Sequence, residues 1–145
     1  MTSMTGGCAC GRVRFEAEVD SDEAYLCHCR MCQRASGSVS LAMIGIARDA
    51  VRWGREPDWY ASSPIARRPF CASCGTSLGF AFNDSDQMDL TVAAFDEPAR
   101  FRPIANYCSD SINRAFLDAS RLPEKPVGEI DSVTSRWASA GLPTP

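Results

Sequence analysis

Cys27-His28-Cys29-Arg30-Met31-Cys32 packs three thiols into six residues and places the only histidine of the chain among them. Thiols this close together can share one metal ion. A zinc ion held by four protein ligands is closed and structural, whereas one held by three keeps a position for a thiol, a water or a carbonyl. Two further groups lie outward from this stretch, Cys8-Ala9-Cys10 and Cys71-Ala72-Ser73-Cys74. They offer four more thiolates, enough for a separate tetrahedral site. Cys108 is left over.

Eight cysteines in 145 residues would suit a disulfide scaffold in a secreted protein. The opening Met1-Thr2-Ser3-Met4-Thr5-Gly6-Gly7, however, has neither the charged region nor the apolar region of a secretory signal. A reducing, cytoplasmic setting is therefore expected, where such clusters are metal sites or redox pairs before they are bridges. No apolar run approaches the length of a membrane span. With 15 basic and 18 acidic residues the net charge is −3. Four thiolates on one zinc and three on another would take it to about −6, which is poorly suited to a polyanion and argues against nucleic acid as a partner. Arg30, Arg34, Arg67 and Arg68 stand beside the cysteine groups in sequence. They are placed to offset thiolate charge, to lower thiol pKa values or to receive a substrate carboxylate, or they are solvated side chains beside an anionic metal site.

Around the cysteines the pattern reads mainly as strand. In Arg12–Val19, Val13, Phe15, Ala17 and Val19 share one face, and Arg12, Arg14, Glu16 and Glu18 the other. Ala24–Leu26 extends into the central cluster. Gln33–Ser38 is small and turn-prone, and Gly37 and Ser38 either present backbone N–H groups to an anion or simply form a turn. Strands are expected over Val39–Ile46, Ala50–Trp53, Asp58–Ala61, Ile65–Phe70, Thr76–Phe82, Met88–Phe95 and Ile104–Cys108, with Tyr107 and Cys108 on opposite faces. Beyond Ser109 only Ser111–Ser120 and Ser132–Ala140 read as short helices. The chain is expected to form one domain over 1–145, with a β core over about 5–108 and a tail over 109–145.

Gly7-Cys8-Ala9-Cys10-Gly11 before Val13-Arg14-Phe15, then Cys27-His28-Cys29-Arg30-Met31-Cys32 followed by Gly37-Ser38, then Phe70-Cys71-Ala72-Ser73-Cys74-Gly75-Thr76-Ser77-Leu78 form an ordered set of motifs. The set resembles the glutathione-dependent formaldehyde-activating enzyme (GFA) and CENP-V family. The resemblance covers residues 7–78, with a weaker echo at Asp118–Pro123. It implies the Mss4-like fold, mainly β, with coiled antiparallel sheets, zinc knuckles and a short, partly helical C-terminal tail. It also implies a structural zinc on Cys8, Cys10, Cys71 and Cys74 and a catalytic zinc on Cys27, Cys29 and Cys32, two zinc ions per chain at most. The implied activity is that of a carbon–sulfur lyase joining or separating a small thiol such as glutathione and an aldehyde.

His28 is the candidate proton carrier, although on an extended backbone it points away from Cys27 and Cys29 and suits an orienting hydrogen bond better than ligation. Arg30, Arg34, Gly37 and Ser38 are the candidate substrate-binding residues. Cys108 is expected to be a small buried hydrophobe. Two other classes remain: a non-catalytic zinc-binding interaction module, in which His28 or Cys108 closes the second site, and a thiol reductase using Cys108 as its nucleophile.

Overall fold

The computed structural model describes residues 1–144, which divide into two compact units, Met1–Asn113 and the residues from Arg114 on. The first is built of ten strands in two sheets. β1 (Thr2–Gly7), β2 (Arg14–Val19) and β5 (Val51–Trp53) form a three-stranded antiparallel sheet with β2 in the middle. β3 (Glu23–Cys27), β4 (Leu41–Ala47), β6 (Asp58–Ser63), β7 (Ala66–Phe70), β8 (Gly79–Phe82), β9 (Gln87–Thr91) and β10 (Arg102–Tyr107) form the second, in the order β10-β3-β4-β9-β8-β7-β6. The expected mainly β class is met.

The alternation in β2 does what the sequence suggests. Phe15, Ala17 and Val19 are buried, while the charged residues between them face outward and pair across the sheet, Glu16 with Arg52 at 2.9 Å. Phe15 packs edge-on against Trp53 and Phe95, with ring centroids 5.5 and 5.1 Å away, and Phe95 meets Phe101 at 4.8 Å. Each such aromatic pair adds about 0.5–1.5 kcal/mol to the burial of its area. Met4, Ile44, Leu78 and Leu90 complete this core.

β1 was not expected, since Thr2–Gly7 carries one large apolar residue. It forms because small residues fit there. A Cβ at Gly6 would collide with the Ala94 carbonyl and the Phe15 ring, so the glycine lets the strand lie flat over the core. Gly79 serves likewise in β8, where a Cβ would strike the Asp89 carbonyl of β9.

Four expectations are corrected. The turn-prone stretch after the central cysteines is a helix, α1 (Arg30–Ser36). The Cys29 sulfur accepts the Cys32 N–H at 3.2 Å to start it, and Gly37 ends it in the left-handed conformation at φ 67°. The sheets are not antiparallel throughout, because β10 runs parallel to β3, from Arg102 beside Glu23 to Tyr107 beside Cys27. The rest of the sheet intervenes in sequence, which gives the chain the long crossover a parallel pair requires. Strand β9 ends at Thr91 in a 3₁₀ turn, Val92–Ala94, rather than continuing to Phe95. No α-helix covers Ser111–Ser120; short 3₁₀ turns at Ser109–Ser111 and Arg114–Phe116 stand there, and the Asp118 carboxylate accepts the Ser120 N–H at 3.0 Å in a local turn that competes with helix.

The second unit contains a 3₁₀ turn at Val127–Glu129 and a helix, α2 (Asp131–Ser139), close to the expected Ser132–Ala140. Gly141, at φ 69°, follows its last turn, and the Leu142 N–H reaches back to the Trp137 carbonyl at 3.0 Å. No helix among the described residues is long and apolar enough to cross a membrane.

Candidate metal centre and thiol cavity

Two loops of matching hydrogen bonding bring the first four thiols together. In one, Cys8 N–H donates to the Val13 carbonyl at 2.9 Å and Gly11 N–H to the Cys8 carbonyl at 3.0 Å. In the other, Cys71 N–H donates to the Thr76 carbonyl at 3.1 Å and Gly75 N–H to the Cys71 carbonyl at 2.7 Å. Gly11 and Gly75 take φ 76° and 78°, a region that glycine enters without steric penalty. The sulfurs of Cys8, Cys10, Cys71 and Cys74 all lie within 4.8 Å of one another, with Cys8–Cys10 at 3.6 Å and Cys10–Cys71 at 3.8 Å.

A Zn–S bond of about 2.3 Å puts the sulfurs of a tetrahedral site roughly 3.8 Å apart, so this set fits zinc. Thr76 stands beside the Cys74 sulfur at 3.1 Å, and its hydroxyl and N–H hold that thiol down at about 5. Arg12 braces the loops, donating to Asp58 at 2.7 Å, and Asp58 accepts the Ala72 N–H at 2.9 Å.

The second cluster is built differently. Cys27 ends β3, Cys29 caps α1 and Cys32 lies in its first turn, so the strand-to-helix change supplies three thiols from one local segment. The tertiary fold adds a fourth. The sulfurs of Cys27, Cys29 and Cys108 lie within 4.8 Å of one another. Cys32 stands outside that mutual set but exchanges sulfur contacts with Cys27 and Cys29. Its sulfur also accepts a hydrogen bond from the Arg68 guanidinium at 3.4 Å. Burial pushes the Cys27 and Cys32 thiols up. Burial acts on Cys29 in the same sense, yet the N–H of Cys32 and its neighbours outweighs it and brings that thiol below its usual value. Of the four, Cys27, Cys29 and Cys108 meet the spacing of a shared ion, and thiol donors suit zinc, whose binding requires that they lose their protons.

These thiols open into a cavity of about 620 Å³ whose walls are mostly apolar, including Met43, Phe80 and the stacked rings of Tyr25 and Tyr107, centroids 4.4 Å apart. Two polar groups also line it, Asp89, which carried no mark in the sequence, and Arg68, one of the four arginines noted beside the cysteines. Asp89 is hydrogen-bonded to Tyr25, and burial raises its carboxyl above the ordinary range. Arg68, 5% exposed, lies 5.0 Å from the centre of the Phe80 ring, and its Nη1 has no partner. No signal in the sequence marked Asp89, because Gln87-Met88-Asp89-Leu90 alternates polar and apolar residues as any half-buried strand does.

The candidate substrate residues fall in different places. Arg34 lines a neighbouring hollow of about 520 Å³ that shares Met31 and Arg68 with the thiol cavity. Arg30 and Ser38 line another hollow, with Gln33 and Ser111. Gly37 is the exposed cap of α1. His28 is fully buried with Nε2 2.8 Å from the Asn106 side chain and is not in the cavity wall. Tyr107 and Cys108, expected on opposite faces, both line the cavity, because Cys108 leaves the strand in a left-handed conformation. Cys108 is exposed rather than a buried hydrophobe.

The fold and its two thiol clusters define a mainly β protein in which one cluster, able to hold a metal ion, joins two loops and the other faces a cavity. The family described as glutathione-dependent formaldehyde-activating enzyme matches residues 3–110, and the chain belongs to that family. It is 31% identical over 84 residues to a Schizosaccharomyces pombe protein described as an uncharacterized lyase, an alignment that covers 58% of this chain and 61% of that relative. A crystal structure of a Rhodobacter sphaeroides protein shares the fold, with a TM-score of 0.57 at 22% identity, over 71% of this chain and 99% of the other.

Proposed function

We propose that this protein is a zinc-dependent carbon–sulfur lyase that makes or breaks the adduct of a small thiol, glutathione first, and an aldehyde. The observation that carries this reading is the position of the second cluster: its thiols form part of the wall of an apolar cavity large enough for a small thiol adduct. Family membership and the relative described as a lyase support it. Both clusters lie within Met1–Asn113, and the activity is assigned to that unit.

A zinc ion held by Cys27, Cys29 and Cys32 would supply a positive charge that ionises an entering thiol at neutral pH. The chain's own groups do the rest. Tyr25, Tyr107 and Phe80 give the cavity aromatic walls, which lower the local dielectric and strengthen charge interactions beside them. In the addition direction a carbon–sulfur bond forms, the carbonyl π bond breaks, and the oxygen takes a proton. Asp89 is the buried carboxyl in the wall that can carry it, and in cleavage it takes the same proton back from the hydroxyl as the carbon–sulfur bond breaks. Arg68, fixed by Cys32 and Phe80, offers its free Nη1 to the developing oxyanion. Of the two candidate arginines, Arg34, in the adjoining hollow, is the one suited to a carboxylate of the thiol substrate.

The test is a panel of thiols with formaldehyde and larger aldehydes, followed by NMR for the thiohemiacetal. Rates above the uncatalysed background are expected, lost in Cys29→Ser with the fold intact. A fully metallated protein that neither binds a thiol nor accelerates any addition would make the non-catalytic zinc module the better reading. The exposed Cys108 beside Cys27 and Cys29 favours one second reading, a thiol reductase. Cys108→Ser separates the two, since the lyase keeps its activity and the reductase loses it.

A further inference from the structure

We propose that Cys108 is a fourth, displaceable thiolate of the second metal site, closing it at rest and yielding its place to the substrate thiol. The proposal rests on the reading that Cys27, Cys29 and Cys32 hold a metal ion. It begins from distance: the Cys108 sulfur lies within 4.8 Å of both the Cys27 and Cys29 sulfurs, although eighty residues of chain separate it from them.

Three connections hold it there. Tyr107 pairs with Cys27 in the parallel ladder, and its carbonyl accepts the His28 N–H at 2.9 Å. The Gln33 side chain, buried in α1, donates both to the His28 carbonyl at 2.8 Å and to the Ser111 carbonyl at 3.2 Å, linking the segments on either side of the cluster. The Ser111 N–H then closes a turn on the Cys108 carbonyl at 3.1 Å.

The backbone gives an independent sign. Cys108 is the one non-glycine residue with positive φ among those described, at φ 54° and ψ 48°. A residue with a Cβ rarely adopts that conformation, and it persists where the surroundings over-determine it. Its effect here is to break the alternation of β10, so that Cys108 lines the same cavity as Tyr107. Ordinary packing does not account for it, because Cys108 is exposed while Cys27 and Cys32 are buried.

Exposure also selects the ligand that leaves. Cys27 is held in β3 and Cys32 by Arg68, but Cys108 is exposed and stands outside the core. The exchange balances: the entering thiol gives its proton to the departing Cys108 thiolate, and one sulfur replaces another with no change in charge at the metal.

The experiment compares reduced, full-length wild type with Cys108→Ser, each loaded with cobalt(II), by the thiolate-to-cobalt charge-transfer band. The knuckle site contributes equally to both. The expected result is two ions in each protein, a band weaker in the variant by about one thiolate in eight, and recovery of that intensity when glutathione is added. In zinc-loaded wild type, Cys108 should be alkylated by iodoacetamide at least tenfold faster once glutathione is present, read by peptide mass. Two bound cobalt ions with identical bands would overturn the role of Cys108 alone, as would alkylation of Cys108 at one rate with and without zinc. A single cobalt in wild type would overturn the underlying metal reading, and this proposal with it.

Discussion

The two thiol clusters use the same side chain to opposite ends. In the first, two glycine-ended loops from distant parts of the chain meet symmetrically, and Arg12, Asp58 and Thr76 brace them from outside. In the second, one short segment supplies three thiols and a late residue adds another, and the cluster faces a cavity. A metal in the first closes a long loop and fastens the edge of one sheet to the other, so its free energy is folding free energy. A metal on Cys27, Cys29 and Cys32 would close a local turn, so its loss would cost the fold less, and three ligands leave a position for an entering thiol. With thiols as the donors in both, topology rather than ligand type is what would separate a structural site from a reactive one.

The largest effect that would break this comparison is in stability. Cys71→Ser, at a fully buried position, is expected to lose several kcal/mol and to unfold or aggregate, whereas Cys29→Ser should lose little. Thermal unfolding of both in zinc buffer decides it, and equal losses would end the division. Next in size is activity: Cys29→Ser should lower carbon–sulfur bond formation by ~10²-fold or more with the near-UV dichroism of the wild type. Arg68→Met should lower it by about 10- to 100-fold, because Cys32 loses its hydrogen-bond partner and the cavity its free donor. Arg68→Lys, without the two-pronged geometry, should recover only part.

Chelation sharpens the contrast further. On titration with a chelator, activity is expected to disappear with release of the first metal ion while the thermal midpoint holds, and the fold to fail only with release of the second. Simultaneous loss would mean that the sites are one cooperative unit.

The smallest effect concerns the brace. The Ala72 N–H and Arg12 hold the Asp58 carboxyl below the usual carboxylate range. A lowered folded-state pKa contributes stability that is fully present above the unfolded value, about 3.9, and is lost as pH falls through the folded value. Asp58→Asn should therefore melt slightly below wild type at neutral pH, and the gap should close as the pH drops below about 4. A gap independent of pH would assign the loss to packing instead.

Much of this was legible in the cysteine spacing and the alternation of residues. The two C-x-C pairs, the two C-x2-C pairs and the glycines that follow the knuckles marked turns and candidate metal donors, because those constraints act over a few residues, while which donors share a site came from the family resemblance. The alternation of Val13, Phe15, Ala17 and Val19 likewise identified β2 and its buried face. β1 stayed hidden because Gly6 signals a close approach only once the Phe15 ring and the Ala94 carbonyl are in place. The helix α1 was masked by small residues, since its start depends on the Cys29 sulfur acting as a cap.

The sequence by itself determined the donor set: eight thiols, their local grouping and a chain rich in strands. Only the tertiary structure decided how those groups combine. The parallel pairing of β10 with β3 carried Cys108 to Cys27 and Cys29, a contact between residues whose separation leaves no periodic trace. Packing placed Arg68 and Asp89 in the thiol cavity and turned Arg30, Ser38 and His28 elsewhere. Local propensities fix turns and faces, whereas the direction in which a side chain points into a shared cavity depends on which strands become neighbours, and that follows from burying the whole chain at once.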